Sequence, residues 1–330
     1  MKKKKFYLSN YYLLALLFCI GLCGFVFQAC EKEKIQNNDE LNIPEGYQMV
    51  GKLHNQGLDH VFKIMKENII EAGEESGFKT AIDIDYMSVI KEASLDFCKK
   101  NEFLKVNYSE CENSIEEYFS EMDNNSNSLK SKEIENLTIE QQKLIRRIDN
   151  AVNNAVLNNN ISELRKQISN INSEAKEKCS AEEAAAIYCA SSTAFFSYEY
   201  WTKYQDKWYF AAHFSEIAEQ YRAAHPEYAL VSFKSIDGDG FWSDIYEWFG
   251  NRIDDVIEWW NNSGKLIIAA DVTGAVGGFL GGIVKGVGVG TVLAPGAGTA
   301  VGALAGGGIG AVTVGLTTSA SACIADLLIN

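Results

Sequence analysis

Proline is scarce in this 330-residue chain, which contains three, and only Pro226 lies between Gly46 and Trp260. Because proline breaks helices, long helices are permitted here, and the apolar residues recur mostly three and four positions apart, as on one face of a helix. We therefore predict an all-α protein, in which a helical-bundle body is followed by a C-terminal glycine-rich apolar helical hairpin. The predicted helices of the body are Leu58–Ala72, Ile84–Lys100, Cys111–Met122, Ile139–Leu157, Ile161–Lys178, Ala181–Ala224 and Trp242–Asn261.

Histidine is also scarce, and the four present (His54, His60, His213 and His225) do not have the spacing of a metal site. The sequence has no G-x-S-x-G elbow, phosphate-binding glycine loop or metalloprotease pair. Asp237, Asp239 and Gly240 resemble part of a calcium loop, but Tyr246 stands where the bidentate glutamate belongs. We therefore predict no catalytic residues, no metal and no cofactor, and a protein that is not an enzyme.

Positive charge is in deficit, since 30 lysines and arginines face 44 acids and the formal net charge is −14. Removal of residues 1–29, which hold four lysines and no acid, takes the charge to −18. Such a body cannot bind nucleic acid by neutralising phosphates. Nucleic acid is therefore excluded as a partner.

The N-terminus has the pattern of an export signal. Four lysines at positions 2–5 precede an apolar run from about Tyr11 to Phe27, and the run ends at Ala29-Cys30. A small residue directly before a cysteine resembles the lipobox of bacterial lipoproteins, although Phe27 and Gln28 depart from that motif. The resemblance implies a signal peptide at residues 1–29 and lipidation of Cys30. The alternative is an uncleaved anchor helix, since the run is close to the roughly 17 residues that a membrane span needs.

Residues 30–45 are predominantly polar and predict a flexible tether. Its acidic start could also address the protein to the cell surface. We expect a lipid-anchored protein of the cell envelope, at the outer membrane in preference to the inner, facing the periplasm or the surface.

Five cysteines remain after the signal and Cys30 are set aside, and an oxidising compartment predicts two disulfides and one free thiol. Cys98 and Cys111 flank a polar segment and could join a helical hairpin. Cys179 and Cys189 are not expected to pair locally, because Ser180 begins a capping box and ten helical residues span about 15 Å. Crossed pairing between the two sets, or free structural thiols, stay open, with Cys323 as the odd cysteine.

Aromatic residues form two clusters. The first, from Phe195 to Phe210, is expected in the core of the bundle. The second includes Trp242, Trp248, Trp259 and Trp260 and directly precedes the apolar tail. Tryptophan concentrates at the lipid–water interface, so we predict an interfacial role for these four, with packing on the bundle as the alternative.

The tail carries the most specific pattern in the chain, glycine at every fourth position. A hairpin turn is expected at Pro295-Gly296, between two arms that are each long enough to span a bilayer. On a helix these glycines share one face and allow another helix to approach closely, and the pattern resembles the glycine zippers of membrane-associated bacterial proteins. The predicted packing residues are Gly274, Gly278, Gly282, Gly286, Gly290, Gly298, Gly302, Gly306 and Gly310.

These patterns divide the chain into the signal (1–29), the tether (30–45), a helical bundle (46–262) and a membrane-associated hairpin (263–330). We expect a lipid-anchored envelope protein whose body binds another envelope protein, with membrane lipid as a partner and a homo-oligomer through the glycines. The alternative is a factor that resembles pore-forming toxins, in which the hairpin inserts into a target bilayer.

Overall fold

Side-chain caps mark where three helices of the computed structural model begin, as the sequence predicts. Thr138 and Ser180 each accept a hydrogen bond from the amide three residues on, and the side chains of Gln141 and Glu183 accept from the capping amides in return. Asn160 caps a third helix with its side chain. Each cap satisfies a backbone amide that has no partner inside the helix, and this fixes the helix boundary.

The structure describes residues 41–76, 84–124, 137–225, 238–250, 253–293 and 297–329, and the side chains of residues 283–305 lie outside that description. The described part contains ten α-helices, one 3-10 turn (Lys105–Asn107) and no strand. The helices are α1 (Glu45–Ser76), α2 (Tyr86–Lys100), α3 (Tyr108–Asn124), α4 (Ile139–Asn158), α5 (Ile161–Lys178), α6 (Ala181–Ala212), α7 (Phe214–Ala224), α8 (Gly238–Phe249), α9 (Ile253–Leu293) and α10 (Ala297–Ile329).

The all-α prediction is confirmed for the described residues, but most helix boundaries differ from those expected, and three of the differences are large. α1 begins at Glu45, earlier than the predicted Leu58, because the apolar face of this helix already starts at the buried Val50. The helix predicted for 181–224 is divided at His213, whose backbone leaves the helical range at ψ 15°. The first arm of the hairpin begins at Ile253, within the range expected for the bundle.

The hairpin of α9 and α10 is packed by five helices of the body. α9 contacts α4 and α6, while α10 contacts α1, α2, α3 and α6. Leu41–Asn330 forms one compact unit, so the hairpin and the body share a single core. This arrangement packs much of the described part of the hairpin against the bundle.

α6 is the helix that the core surrounds most completely. Its residues 184–198 are all buried, as expected for a helix that is apolar on every side. Trp201, Trp208 and Phe210 have no exposed surface. The prediction that the first aromatic cluster belongs to the core is confirmed.

α4 and α5 form a neighbouring pair of helices, joined at Asn159, which adopts a left-handed backbone conformation with φ 46°. The apolar residues of α5 alternate steps of four and three, and those at Leu164, Ile168, Ile171 and Ala175 are buried. This spacing is typical of helices that pack side by side within a bundle.

The last residues of the predicted tether lie against the body. Leu41 is fully buried and Ile43 is 5% exposed, and the Asn42 side chain donates hydrogen bonds to Ser169 and Ser173 on α5. The segment at 41–45 is therefore part of the packed structure. Cys30, the predicted lipidation site, and the signal lie outside the described residues.

Candidate membrane-associating hairpin and its buried polar contact

Two segments of the hairpin are long and apolar enough to cross a membrane by length and composition. They are Asp254–Gly282 and Gly306–Ile329, and 67% and 61% of their respective most apolar windows are buried within the protein. Core helices of water-soluble bundles also pass this test, so burial and chemistry must decide between lipid and protein surroundings.

The two arms approach so closely that side chains are excluded between them. A Cβ atom built on Gly278 would lie 2.0 Å from the carbonyl oxygen of Gly310, and a Cβ built on Gly310 would lie 2.0 Å from that of Gly278. One turn further, a Cβ on Gly282 would lie 2.1 Å from the Gly306 carbonyl oxygen. Only glycine permits this separation of the two backbones.

Gly274 lies at the other end of the same row, where an added Cβ would meet the Thr318 hydroxyl at 2.7 Å. The predicted close packing is therefore present at the five positions Gly274, Gly278, Gly282, Gly306 and Gly310. Their glycine face is occupied by the opposite arm of the same chain, so a homo-oligomer through these five is not available in this conformation. The surroundings of Gly286, Gly290, Gly298 and Gly302 lie outside the described residues.

The four tryptophans expected at a lipid interface are placed differently. Trp242, Trp259 and Trp260 are each 7% exposed and lie in the core, and Trp248 is half-buried. Trp242 stacks on Phe214, with ring centroids 4.8 Å apart. The interfacial prediction is wrong for the three buried rings in this conformation, because the aromatic rings of α6, α7 and α8 provide the apolar surroundings that lipid was expected to supply.

Asp271, on the first arm, is a carboxylate with no exposure to solvent. Its Oδ2 accepts a hydrogen bond from the Trp201 indole at 3.1 Å and another from the Ser197 hydroxyl, both on α6. The Nε2 atom of His54, on α1, lies 3.9 Å from the same oxygen. One polar contact therefore ties the hairpin to two helices of the body.

The hydrogen bonds of Asn55 indicate which nitrogen of the His54 ring is the donor. The amide nitrogen of Asn55 donates to the Phe196 carbonyl at 2.8 Å, so its oxygen must face His54 Nδ1, which lies 3.1 Å away. Nδ1 is consequently the proton donor of the ring, and Nε2 faces Asp271.

Two polar atoms in this cluster, His54 Nε2 and Asp271 Oδ1, have no hydrogen-bond partner within 3.5 Å among the described residues. His54 and Asp271 have no exposure to solvent, so the cluster is suited to hold the hairpin in place. Sequence reasoning missed it, although a single acid within the apolar run 266–276 was an available signal.

The described cysteines are all free thiols. Cys98 on α2 and Cys111 on α3 lie next to each other and next to Thr313 on the second arm. The neighbouring Cys111 and burial raise the pKa of the Cys98 thiol. The structure thus brings together the two cysteines that could join a helical hairpin, but neither of the two predicted disulfides is present among the described residues; Cys189 and Cys323 are each buried.

Three of the four histidines have polar contacts that explain them, and one is His225, whose Nδ1 lies 3.0 Å from the Tyr221 carbonyl oxygen. His54 belongs to the cluster just described, and His60 contacts Asp96 at 2.8 Å. No group of three or more metal-ligating side chains occurs in the described part of the chain. No protein-family model matches the chain, and no curated protein or solved structure matches it.

Proposed function

We propose that this protein is a lipid-anchored component of the cell envelope, attached through Cys30, whose helical body holds a glycine-zipper hairpin with a membrane-associating tip. We call residues 283–305 the tip of the hairpin and the remainder its base. The observation that carries the proposal is the fall in burial along the first arm towards the tip, from the buried Phe279 to the exposed Gly281, where an added Cβ would meet nothing within 4 Å.

The length of the tip matches one leaflet. α9 continues for 11 residues beyond Gly282, which is about 16 Å at 1.5 Å per residue. The hydrocarbon core of a bilayer is about 30 Å thick. A tip of this length enters one leaflet while the base stays within the body.

The single charged residue of the tip sequence fits this depth. Lys285 is three residues beyond Gly282, less than one helical turn. A charge at the centre of a bilayer costs about 3 kcal/mol, but a lysine near the end of an embedded segment extends its amine into the interface. An arm that spanned the bilayer would place the charge of Lys285 within the hydrocarbon core. If the base stays in the body, Lys285 instead lies near the surface of the bilayer.

The buried carboxylate of Asp271 favours a base that stays packed in the body. Its hydrogen bonds from Ser197 and Trp201 would be lost if the arm moved into lipid, where a carboxylate costs several kcal/mol. The apolar tip has no comparable polar group except Lys285. The body is expected to present the remaining surface to another envelope protein.

Flotation of membranes tests the proposal with two variants. In both, Cys30→Ala removes the lipid, and a cleavable export signal is substituted. In the second, a short Gly/Ser linker replaces residues 283–305, joining Gly282 and Gly306, whose backbones are in contact. We expect the first variant to float with membranes and the second to remain soluble with unchanged helical circular dichroism. A first variant that is already soluble would refute membrane association by the tip.

A second candidate function is a pore-forming factor that releases the whole hairpin. It is favoured by the extent of the two apolar segments, which a bundle of five helices conceals. In this case α9 and α10 must leave the body before they insert.

A cross-link separates the two candidates. Thr313→Cys, placed in a Cys111→Ser background, puts a cysteine of α10 beside Cys98 of α2. If the whole hairpin is released, oxidation should abolish leakage of dye from vesicles, and a reductant should restore it. If only the tip associates, the oxidised and reduced proteins should bind vesicles equally.

A further inference from the structure

A cavity of about 340 Å³ lies where α9 begins and α10 ends, beside the junction of α6 and α7. This volume is at the lower end of the range for small-molecule sites, roughly 300–1,000 Å³. The two arms are antiparallel, so this end of the hairpin is the one farthest from the tip. The cavity is separate from the Asp271 contact, and the inference drawn from it does not depend on the proposed function.

Two aromatic rings form one wall of the cavity. Tyr209 and Trp259 lie with ring centroids 5.8 Å apart and planes inclined by 58°. The Trp259 indole N–H donates to Asp326 at 2.8 Å, which fixes the ring and uses its only polar atom. The faces of such rings attract cations through their negative π-electron density.

Negative charge is supplied by Asp255 and Glu258, which line the same cavity and are exposed. Neither forms an ion pair with a described residue, and no lysine or arginine lines the cavity. Burial lowers the pKa of His213, so this lining imidazole is predominantly neutral at pH 7 and adds no positive charge. The cavity is therefore anionic and aromatic.

A buried hydroxyl points to a ligand that donates hydrogen bonds. Ser263 lines the cavity, is 5% exposed and has no hydrogen-bond partner among the described residues. Most serines inside helices bond to a carbonyl of the preceding turn, as the Thr273 hydroxyl does in the same helix. A ligand N–H group at this position would satisfy the hydroxyl oxygen.

We propose that this cavity binds the alkylammonium group of a small organic cation. The carboxylates of Asp255 and Glu258 pair with the charge, the rings of Tyr209 and Trp259 pack against the alkyl chain, and Ser263 accepts a hydrogen bond from the ammonium group. The same chemistry is found in a free diamine and in an exposed lysine side chain.

Isothermal titration of the purified full-length protein tests the proposal. The probes are 1,5-diaminopentane, N-acetyl-lysine methylamide and the neutral 1,5-pentanediol, at constant ionic strength. We expect saturable binding of one equivalent of at least one ammonium probe and none of the diol. Comparable binding of both ammonium probes would identify a lysine side chain as a sufficient ligand, whereas binding of the diamine alone would identify a free diamine.

Matched variants locate the site. Asp255→Asn combined with Glu258→Gln should weaken binding about tenfold, from two solvent-exposed charge contacts. The control combines Glu177→Gln with Glu182→Gln, which removes the same charge from two exposed acids elsewhere on the body and should change binding less than twofold. Equal weakening in both double variants, equal affinity for the diol, or no saturable binding would overturn the proposal.

Discussion

Substitution of alanine at Gly278 and at Gly281 should change stability in opposite directions, although the two glycines are only three residues apart. At Gly278 the new Cβ would lie 2.0 Å from the Gly310 carbonyl oxygen and 2.5 Å from its carbonyl carbon. These are backbone atoms of a helix and cannot rotate away, so the arms must separate. At Gly281 the new Cβ meets no atom within 4 Å.

The magnitudes follow from two opposing effects. Alanine is favoured over glycine inside a helix by about 1 kcal/mol at both positions. Overpacking of a close contact costs about 1–3 kcal/mol, and a backbone obstacle places Gly278→Ala at the upper end of that range. We expect Gly278→Ala to lower the free energy of unfolding by about 1–2 kcal/mol and Gly281→Ala to raise it by about 1 kcal/mol.

Urea unfolding of the Cys30→Ala protein, followed by circular dichroism, measures both changes. Gly310→Ala provides an internal check, because it faces Gly278 and requires the same separation of the arms. The double variant Gly278→Ala/Gly310→Ala should therefore cost less than the sum of the single variants. If Gly278→Ala and Gly281→Ala both stabilise the protein, the close approach of the arms is wrong.

Three further predictions concern the body and its contact with the hairpin. Burial raises the pKa of Asp149 to about 6. The folded state therefore binds the carboxyl proton more tightly than the unfolded chain does. The group favours folding below about pH 4, and this advantage is lost as the pH rises through 6. Asp149→Asn should accordingly raise the free energy of unfolding by about 1–2 kcal/mol at pH 7.5 and have little effect at pH 4, which urea titrations at both values will measure. The adjacent thiols of Cys98 and Cys111 should form a disulfide in protein isolated from an oxidising compartment, and peptide mass spectrometry that recovers both as free thiols would exclude it. Asp271→Leu should destabilise the protein by about 3 kcal/mol, since the indole N–H of Trp201 would lose its buried acceptor, whereas Asp271→Asn should cost less; equal thermal midpoints for the two variants would contradict this.

Local signals predicted much of the fold. The motif at Ser180 contains both its capping residue and the acid that completes the cap, so the start of α6 was visible within four residues. The glycine spacing likewise predicted which face of the hairpin would be packed, because helix geometry alone aligns positions four apart. The first arm ends at Leu293 and the second begins at Ala297, and the turn expected at Pro295-Gly296 lies outside the described residues.

Long-range contacts explain what the sequence did not predict. The polar contact joins His54, Ser197 and Asp271, which are more than 70 residues apart along the chain, and no motif connects them. The tryptophans were assigned to lipid because a sequence distinguishes apolar from polar surroundings, but not protein from lipid. Trp259 shows this limit, since its indole N–H is satisfied by Asp326 inside the protein.

The balance between protein and lipid surroundings changes along the hairpin. Sixteen glycines lie between Gly274 and Gly315, and each costs about 1 kcal/mol relative to alanine in a solvated helix, so a hairpin of this composition is unstable alone in water. Near the base, close contact between backbones and burial by five helices offset this cost. Beyond Gly281 the sequence continues for more than 20 residues with Lys285 as its one charge. A bilayer favours helices whose backbone groups are all hydrogen-bonded internally. This difference between the two ends of the hairpin is the physical reason for proposing that the tip enters a membrane while the base stays in the body.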